Sequence, residues 1–381
     1  MKRRIGLKVS QFVGTQAHGA ERHTLLIMAK IISKEYSLDI VGCEVYPEEL
    51  NKYNIIQFIR YYHYPRLLRK MLHIPMAIIN TVLYARKERP DLLFALGGTY
   101  YNGLAVLIAG KLYGIKTLVR TAEDHFNYYK YCENLSCKLK HFFINKLISK
   151  FVLKHADYVL VVGKMSRNYF ISQGIKKNRI FGIPGPISQE DFIDNKPKSE
   201  IRKELGLPLK KTIVLYVGAI SGVKGTNELP HIMESLFSKS DEFFFCVIGS
   251  ETHGAFITKL INKTAHKKCL ILPPKPHHDL KKYYNASDVL VFLTKIGVGY
   301  GQVTIEATKA KLPVVAYNSG LDVEWFLKGH CYKSIKDISR ALLMKDYSVL
   351  SLPNEFDNKY IEKKHLSMFA KILMEPEKQS V

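Results

Sequence analysis

The sequence predicts an α/β chain built as two Rossmann-like parallel-sheet domains that face each other across a cleft. Three observations carry that expectation. The chain has 381 residues, too long for one ordinary domain and suited to two of roughly 150 to 200 residues. Strand-like and helix-like segments alternate in two blocks, the pattern of βαβ crossovers. Between the blocks lies IPGPISQEDFIDNKPKSE at 183–200, rich in proline and polar groups as linkers are. The expected division is an N-terminal domain over 1–186, a C-terminal domain over 187–350, and a tail over 351–381 whose helix packs back on the N-terminal domain.

In the first block, IGLKVS reads as a strand, Gly19 to Lys34 as a helix and LDIVGCEV as a strand. A basic aromatic stretch follows. Then come the strand DLLFALG, the helix NGLAVLIAGKLYG, the strand KTLVRT, a long helical pattern over 134–154, the strand ADYVLVVG and a short helix closing at Gly174. The second block restarts the alternation with strands TIVLYVGAI, EFFFCVIGS, CLILPP, DVLVFLT and PVVAYN, each joined to the next by a helical segment.

Composition narrows the classes. With 47% hydrophobic and 24% charged residues the chain is that of a folded protein and not of a disordered one. Its apolar runs fall short of the ~20 residues that a membrane-crossing helix needs, and a cytoplasmic protein, soluble or peripheral, is expected. Six scattered cysteines read as free thiols; the close pair Cys132 and Cys137 has no further cysteine or histidine at zinc spacing. Lysine and arginine number 57 against 34 acidic residues, a net charge of +23. Such a field attracts nucleic acid, anionic lipid or phosphorylated small molecules. No nucleic-acid-binding signature accompanies it.

Chemistry is expected beyond the carboxyl ends of the strands. In GVGYGQVTIEATKAKLPVVAYN at 297–318, a glycine turn precedes a helix start, where backbone amides of Gln302, Val303 and Thr304 can meet a phosphate. Gly301 permits the close approach. Glu306 follows within the first turns. Two readings stand for it: a carboxylate reaching the cleft to accept two ribose hydroxyls, or a helix-capping acid that offsets the dipole.

This stretch resembles glycosyltransferase family 4, retaining enzymes of the GT-B fold, in Gly299, Tyr300, Gly301, Glu306 and the PVVA strand at 313–316. The resemblance implies that Glu306 holds the ribose of a nucleotide-sugar donor. The family's other glutamate, on the sugar ring, falls at Val298. LYVGAISGVKG at 215–225 is similar to the family's diphosphate loop, with Gly218 opening it and Lys224 as its lysine, while Ala219 stands where an arginine is usual. HGAERHTLLIMAK at 18–30 is similar to the family's first glycine loop and helix, so Gly19 is expected near the donor phosphates or sugar. Lys275, in LPPKP, is the candidate for the base.

The resemblance further implies a donor on the C-terminal domain and an acceptor, saccharide or lipid-linked, on the N-terminal one. The strand KTLVRT ends in Glu123, Asp124 and His125, candidates to polarise the acceptor hydroxyl or steady charge on the sugar; the bland alternative is a carboxylate paired with Arg120. No metal or cofactor is expected, since no Asp-x-Asp cluster is present; the nucleotide-sugar is substrate. Val298 and Ala219 raise the alternative of a homologue with altered or lost catalysis, and the charge that of a nucleic-acid-binding protein. Finally, IRYYHYPRLLRKML at 59–72 and KLKHFFINKLISKFVLKH at 138–155 interleave cations with apolar residues, as an anionic membrane interface would favour. For the second segment an ordinary alternative stands: its apolar side packs on the sheet and its lysines are a solvated face.

Overall fold

A computed structural model of the chain describes residues 2–9, 19–42, 44–61, 63–132, 135–187, 192–251, 255–265, 267–297 and 299–376. The chain divides into two compact units, Met1–Ile187 with Asn354–Val381, and Ser188–Pro353. Each holds one parallel sheet.

In the first unit the strands are β1 (Arg4–Lys8), β2 (Ser37–Val41), β3 (Asn54–Ile56), β4 (Leu92–Ala95), β5 (Lys116–Thr121), β6 (Tyr158–Val161) and β7 (Ile180–Gly182). Their order is β3-β2-β1-β4-β5-β6-β7. β4 and β6 are buried along their whole length, which is why they read as unbroken apolar runs. The helices are α1 (Gly19–Glu35), α2 (Arg66–Glu88), α3 (Asn102–Tyr113), α4 (Leu135–His141), α5 (Ser149–His155) and α6 (Lys164–Ser172). A π-helical stretch, Phe142–Ile148, joins α4 to α5.

The second unit contains α7 (Lys198–Glu204), β8 (Thr212–Val217), α8 (Leu229–Phe237), β9 (Phe243–Ile248), α9 (Phe256–Ala265), β10 (Cys269–Leu272), α10 (His277–Ala286), β11 (Val289–Phe292), α11 (Gln302–Lys309), β12 (Val314–Tyr317), α12 (Leu321–Phe326), β13 (Cys331–Tyr332) and α13 (Ile335–Met344). Its order is β10-β9-β8-β11-β12-β13. The last helix, α14 (Asn358–Met374), belongs to the first unit. Its Met368, Phe369, Ile372 and Leu373 enter the same core as Ile5, Phe94 and Leu118.

Three elements of the first unit escape the sequence pattern. The basic aromatic stretch opens into α2, a helix of 23 residues that carries Pro75 inside it; an interior proline removes a hydrogen bond and breaks the helical reading. β3 and β7 are three residues each, too short to show a period. The linker expected over 183–200 is also shorter in fact. Phe192 is buried and packs edge-on against Tyr284, and α7 begins at Lys198. Arg202 on α7 is buried and bonds both Asp288 and the Ala286 carbonyl, so this segment is tied into the second unit.

Candidate functional site

Where the strand order of an open parallel sheet reverses, a crevice opens beyond the carboxyl ends. In the second unit that point lies between β8 and β11. Beyond β8, Gly218 has φ +151° and Gly225 φ +72°, left-handed backbone that glycine enters at little cost. A Cβ on Gly225 would stand 2.0 Å from the Leu293 carbonyl oxygen, so the loop after β8 is pressed onto the chain leaving β11. Lys295 N donates to the Val223 carbonyl at 3.0 Å and Lys295 Nζ pairs with Glu228. Ser221 caps the turn by accepting from Lys224 N, which fixes the backbone from which the half-buried Lys224 side chain departs. Ala219, where the resemblance expects an arginine, is exposed.

Beyond β11, Gly301 takes φ +70° at the N-cap of α11, with no side-chain cap and no acid in the first turn. The capping reading of Glu306 therefore falls. Gln302 and Val303 occupy the helix start, half-buried. Thr304 is a correction: its amide donates to the Gly301 carbonyl at 3.2 Å and its hydroxyl to the Tyr300 and Gly301 carbonyls, so its donors are committed within the turn. Glu306 is among the buried residues of α11. It is only 2% exposed, and its Oε2 accepts from Tyr284 Oη at 2.8 Å. Burial, with Glu306 beside it, pushes the Tyr284 phenol far above its ordinary pKa, so it remains the donor. Tyr284 was not singled out from sequence. Lys275 lies in the loop after β10, an edge strand two places from β8. Val298 lies outside the described residues.

In the first unit the order reverses between β1 and β4. Gly19 begins α1 there. The Glu21 carboxylate lies against Gly97, where an added Cβ would meet Oε1 at 3.3 Å. Arg120 is held nearby: burial pushes its guanidinium down to about 10, with Glu21 opposing the shift, and its Nη1 reaches the Leu96 carbonyl. The acid acting on Arg120 is thus Glu21, and not one of the acids at 123 and 124 as the bland alternative had it. The Gly97-Gly98 pair after DLLFAL was the overlooked signal, since Gly98 has φ +63°.

Asp124, expected among the catalytic candidates, is a second correction. It is buried and caps the short turn that follows, its Oδ1 accepting from Phe126 N at 3.1 Å and Oδ2 from Asn127 Nδ2 at 2.6 Å. Glu123 and His125 flank it, both half-buried. Burial lowers the His125 pKa more than Glu123 and Asp124 raise it, so the ring is neutral near pH 7 and offers one donor and one acceptor.

The cysteine pair also differs from expectation. Cys132 and Cys137 are joined as a disulfide, and α4 brings His141 to them, one turn past Cys137. The three ligand atoms lie within 4.8 Å of one another, the one such group among the described residues. With both sulfurs bonded to each other, neither is a thiolate ligand.

Comparison with known proteins places this geometry. Residues 17–191 match the description Glycosyltransferase Family 4, and residues 197–342 match Glycosyl transferases group 1. Among curated relatives, a teichuronic acid biosynthesis glycosyltransferase of Bacillus subtilis, TuaC, is 28% identical over 43% of this chain and 40% of its own. The capsular polysaccharide glycosyltransferase CapM of Staphylococcus aureus is 26% identical over 64% of this chain and 62% of its own. The matched stretch is less than two thirds of either relative. Among solved structures, Anabaena HepE with UDP-glucose superposes at a TM-score of 0.71 with 14% identity, covering 97% of this chain and 99% of that one. At that identity the likeness speaks for the GT-B fold.

Proposed function

The chain belongs to glycosyltransferase family 4, and on that premise we propose that it transfers a sugar from a nucleotide-sugar donor to a saccharide or lipid-linked acceptor in glycan or cell-envelope biosynthesis. In this reading residues 187–350 bind the donor, residues 1–186 the acceptor, and transfer proceeds with retention at the anomeric carbon, as the family implies. The protein works in the cytoplasm, peripheral to the inner face of the membrane. Among the described residues no helix is long and apolar enough to cross a membrane.

The observation that supports it most is the meeting of two loops at the β8/β11 reversal. There the glycine-opened loop carrying Lys224 lies on the chain that leads into the α11 N-terminus. Lys224 and the amides of Gln302 and Val303 supply positive charge for the leaving diphosphate. Gly218 keeps the approach open. On the acceptor side, Glu123 and the neutral His125 are the groups in position to polarise a hydroxyl or steady charge on the sugar ring; Asp124 holds the turn that presents them.

Glu306 carries the ribose contact in this reading, sharing its carboxylate between the ribose hydroxyls and Tyr284. A second reading is favoured by its burial: a purely internal acid that ties α10 to α11. Glu306→Gln separates them, because the amide oxygen still accepts from Tyr284. Calorimetric titration with nucleoside diphosphates should show affinity reduced roughly tenfold or more if a charge-assisted bond to ribose is lost. Unchanged affinity assigns the residue to the fold alone. If no nucleoside diphosphate or nucleotide-sugar binds the unaltered protein, the transferase reading fails.

A further inference from the structure

The helical run from α4 through the π-helical stretch to α5 turns an apolar stripe outward. Leu135, Leu139, Phe143, Leu147 and Phe151 recur every fourth residue, and each is 46–71% exposed. The buried residues of this run are instead Asn145, Ser149, Val152 and Leu153. The ordinary alternative, an apolar side packed on the sheet, holds for Val152 and Leu153 with half-buried Ile148, while the five larger apolar residues form a second, outward side.

Helix geometry explains how the stripe holds its direction. An α-helix completes a turn in 3.6 residues, so every fourth residue overshoots and a stripe would wind around. A π-helix closes its bonds at i→i+5 and turns less per residue, so four residues there fall short. The π segment Phe142–Ile148 lies in the middle of the run and returns the stripe to one face. Lys138, Lys140, Lys146, Lys150 and Lys154 flank it along the run. Lys146 Nζ sits 4.9 Å from the Phe142 ring centre, its stem laid along apolar surface.

A second exposed apolar segment lies in the same unit. On α2, Leu67 and Met71 are 74% and 70% exposed, beside Arg69 and Lys70. His73 of α2 packs on Tyr101 and Tyr101 on Tyr100, while Tyr128 packs on His141 of α4. Tyr100 is close enough to Tyr128 to raise its pKa, after burial and Glu123.

We propose that this face docks on the surface of an anionic lipid bilayer, the Leu and Phe side chains entering the headgroup boundary and the lysines meeting lipid phosphates. A second copy of the chain fits poorly, because a symmetric pairing would set lysine-flanked stripes against each other. An anionic surface answers both the apolar and the cationic part. The docking stands on the stripe alone; that it presents a lipid-linked acceptor beside Glu123 and His125 rests on the transferase reading.

Flotation of the full chain with vesicles tests it. At ~0.15 M salt the protein should float with phosphatidylcholine vesicles containing phosphatidylglycerol, and not with phosphatidylcholine alone. Leu139→Ser with Phe143→Ser should lower that partition roughly tenfold or more, while nucleoside diphosphate binding stays unchanged and reports an intact donor site. Lys138→Gln, Lys140→Gln and Lys154→Gln together should abolish the preference for phosphatidylglycerol. Phe143→Trp, in a chain whose single native tryptophan is Trp325, should show blue-shifted emission on the anionic vesicles. Equal flotation of the serine variant and the unaltered protein overturns the proposal. So does absence of the tryptophan shift, or a dimer in sedimentation that the serine variant dissolves.

Discussion

The two units carry the same reversal of strand order, β1 against β4 and β8 against β11, yet furnish it with different chemistry. At β8/β11 the chain supplies glycines, backbone amides and Lys224, a setting for a multiply charged anion. At β1/β4 and the neighbouring end of β5 it supplies a half-buried Arg120 answered by Glu21, a half-buried carboxylate and a neutral histidine. Parallel-sheet topology decides where a site forms in both. The residues on the loops decide that one end offers glycines and an ammonium and the other a carboxylate and an imidazole.

Exchanging glycines tests the contrast most strongly. Gly225→Ala would push a Cβ to 2.0 Å from a backbone oxygen at φ +72°, and a loss of about 3 kcal/mol or more is expected. Gly114, which closes α3 at φ +69° with open space around it, should cost only about 1 kcal/mol on the same change. Urea unfolding midpoints of the two variants measure the difference. Equal losses would mean the donor loop is no more tightly packed than an ordinary helix end.

The first unit should also show a pH dependence through His365 on α14. This ring is buried, its Nδ1 meets the Ile361 carbonyl, and burial pushes its pKa down to about 4 from 6.5. The unfolded chain takes up the proton first. Stability from this group is therefore full above pH about 6.5 and is lost as pH falls toward about 4, by about 3 kcal/mol in all. Unfolding curves across that window should be steeper in pH for the unaltered protein than for His365→Leu.

Smaller and more specific is Lys224→Ala, expected to weaken nucleoside diphosphate binding by about 1.5 to 3 kcal/mol with an unchanged melting temperature. His125→Ala should do the reverse, lowering turnover and leaving nucleotide affinity intact. Last, Tyr284→Phe removes the bond to buried Glu306 and should cost about 1 to 3 kcal/mol of stability, read by thermal unfolding. If it changes neither stability nor nucleotide affinity, the pair is not what holds α10 to α11.

Much of this contrast is legible in the chain itself. Buried strands such as LLFA and VLVF announce themselves because every side chain must be apolar, and the glycines at 218, 225 and 301 because few other residues fit their backbone. Glu306 shows the limit. Its spacing after the glycine turn was readable, but Tyr284, the group that engages it, is 22 residues away and reaches it only because the fold brings that point of α10 to α11. Asp124 looked like one of three equal acids and bases until the turn formed and used both its oxygens. His141 joins Cys132 and Cys137 by one turn of helix, a closeness that cysteine spacing alone did not suggest.

The sequence by itself determined the alternation of elements, the two parallel sheets and the glycine turns that follow β8 and β11, because these follow from local periodicity and backbone freedom. Only tertiary structure decided which polar groups are consumed internally and which apolar ones are left facing outward, as on the run from Leu135 to Phe151. Those outcomes depend on partners distant in sequence, and on a change of helical pitch that no residue pattern announces.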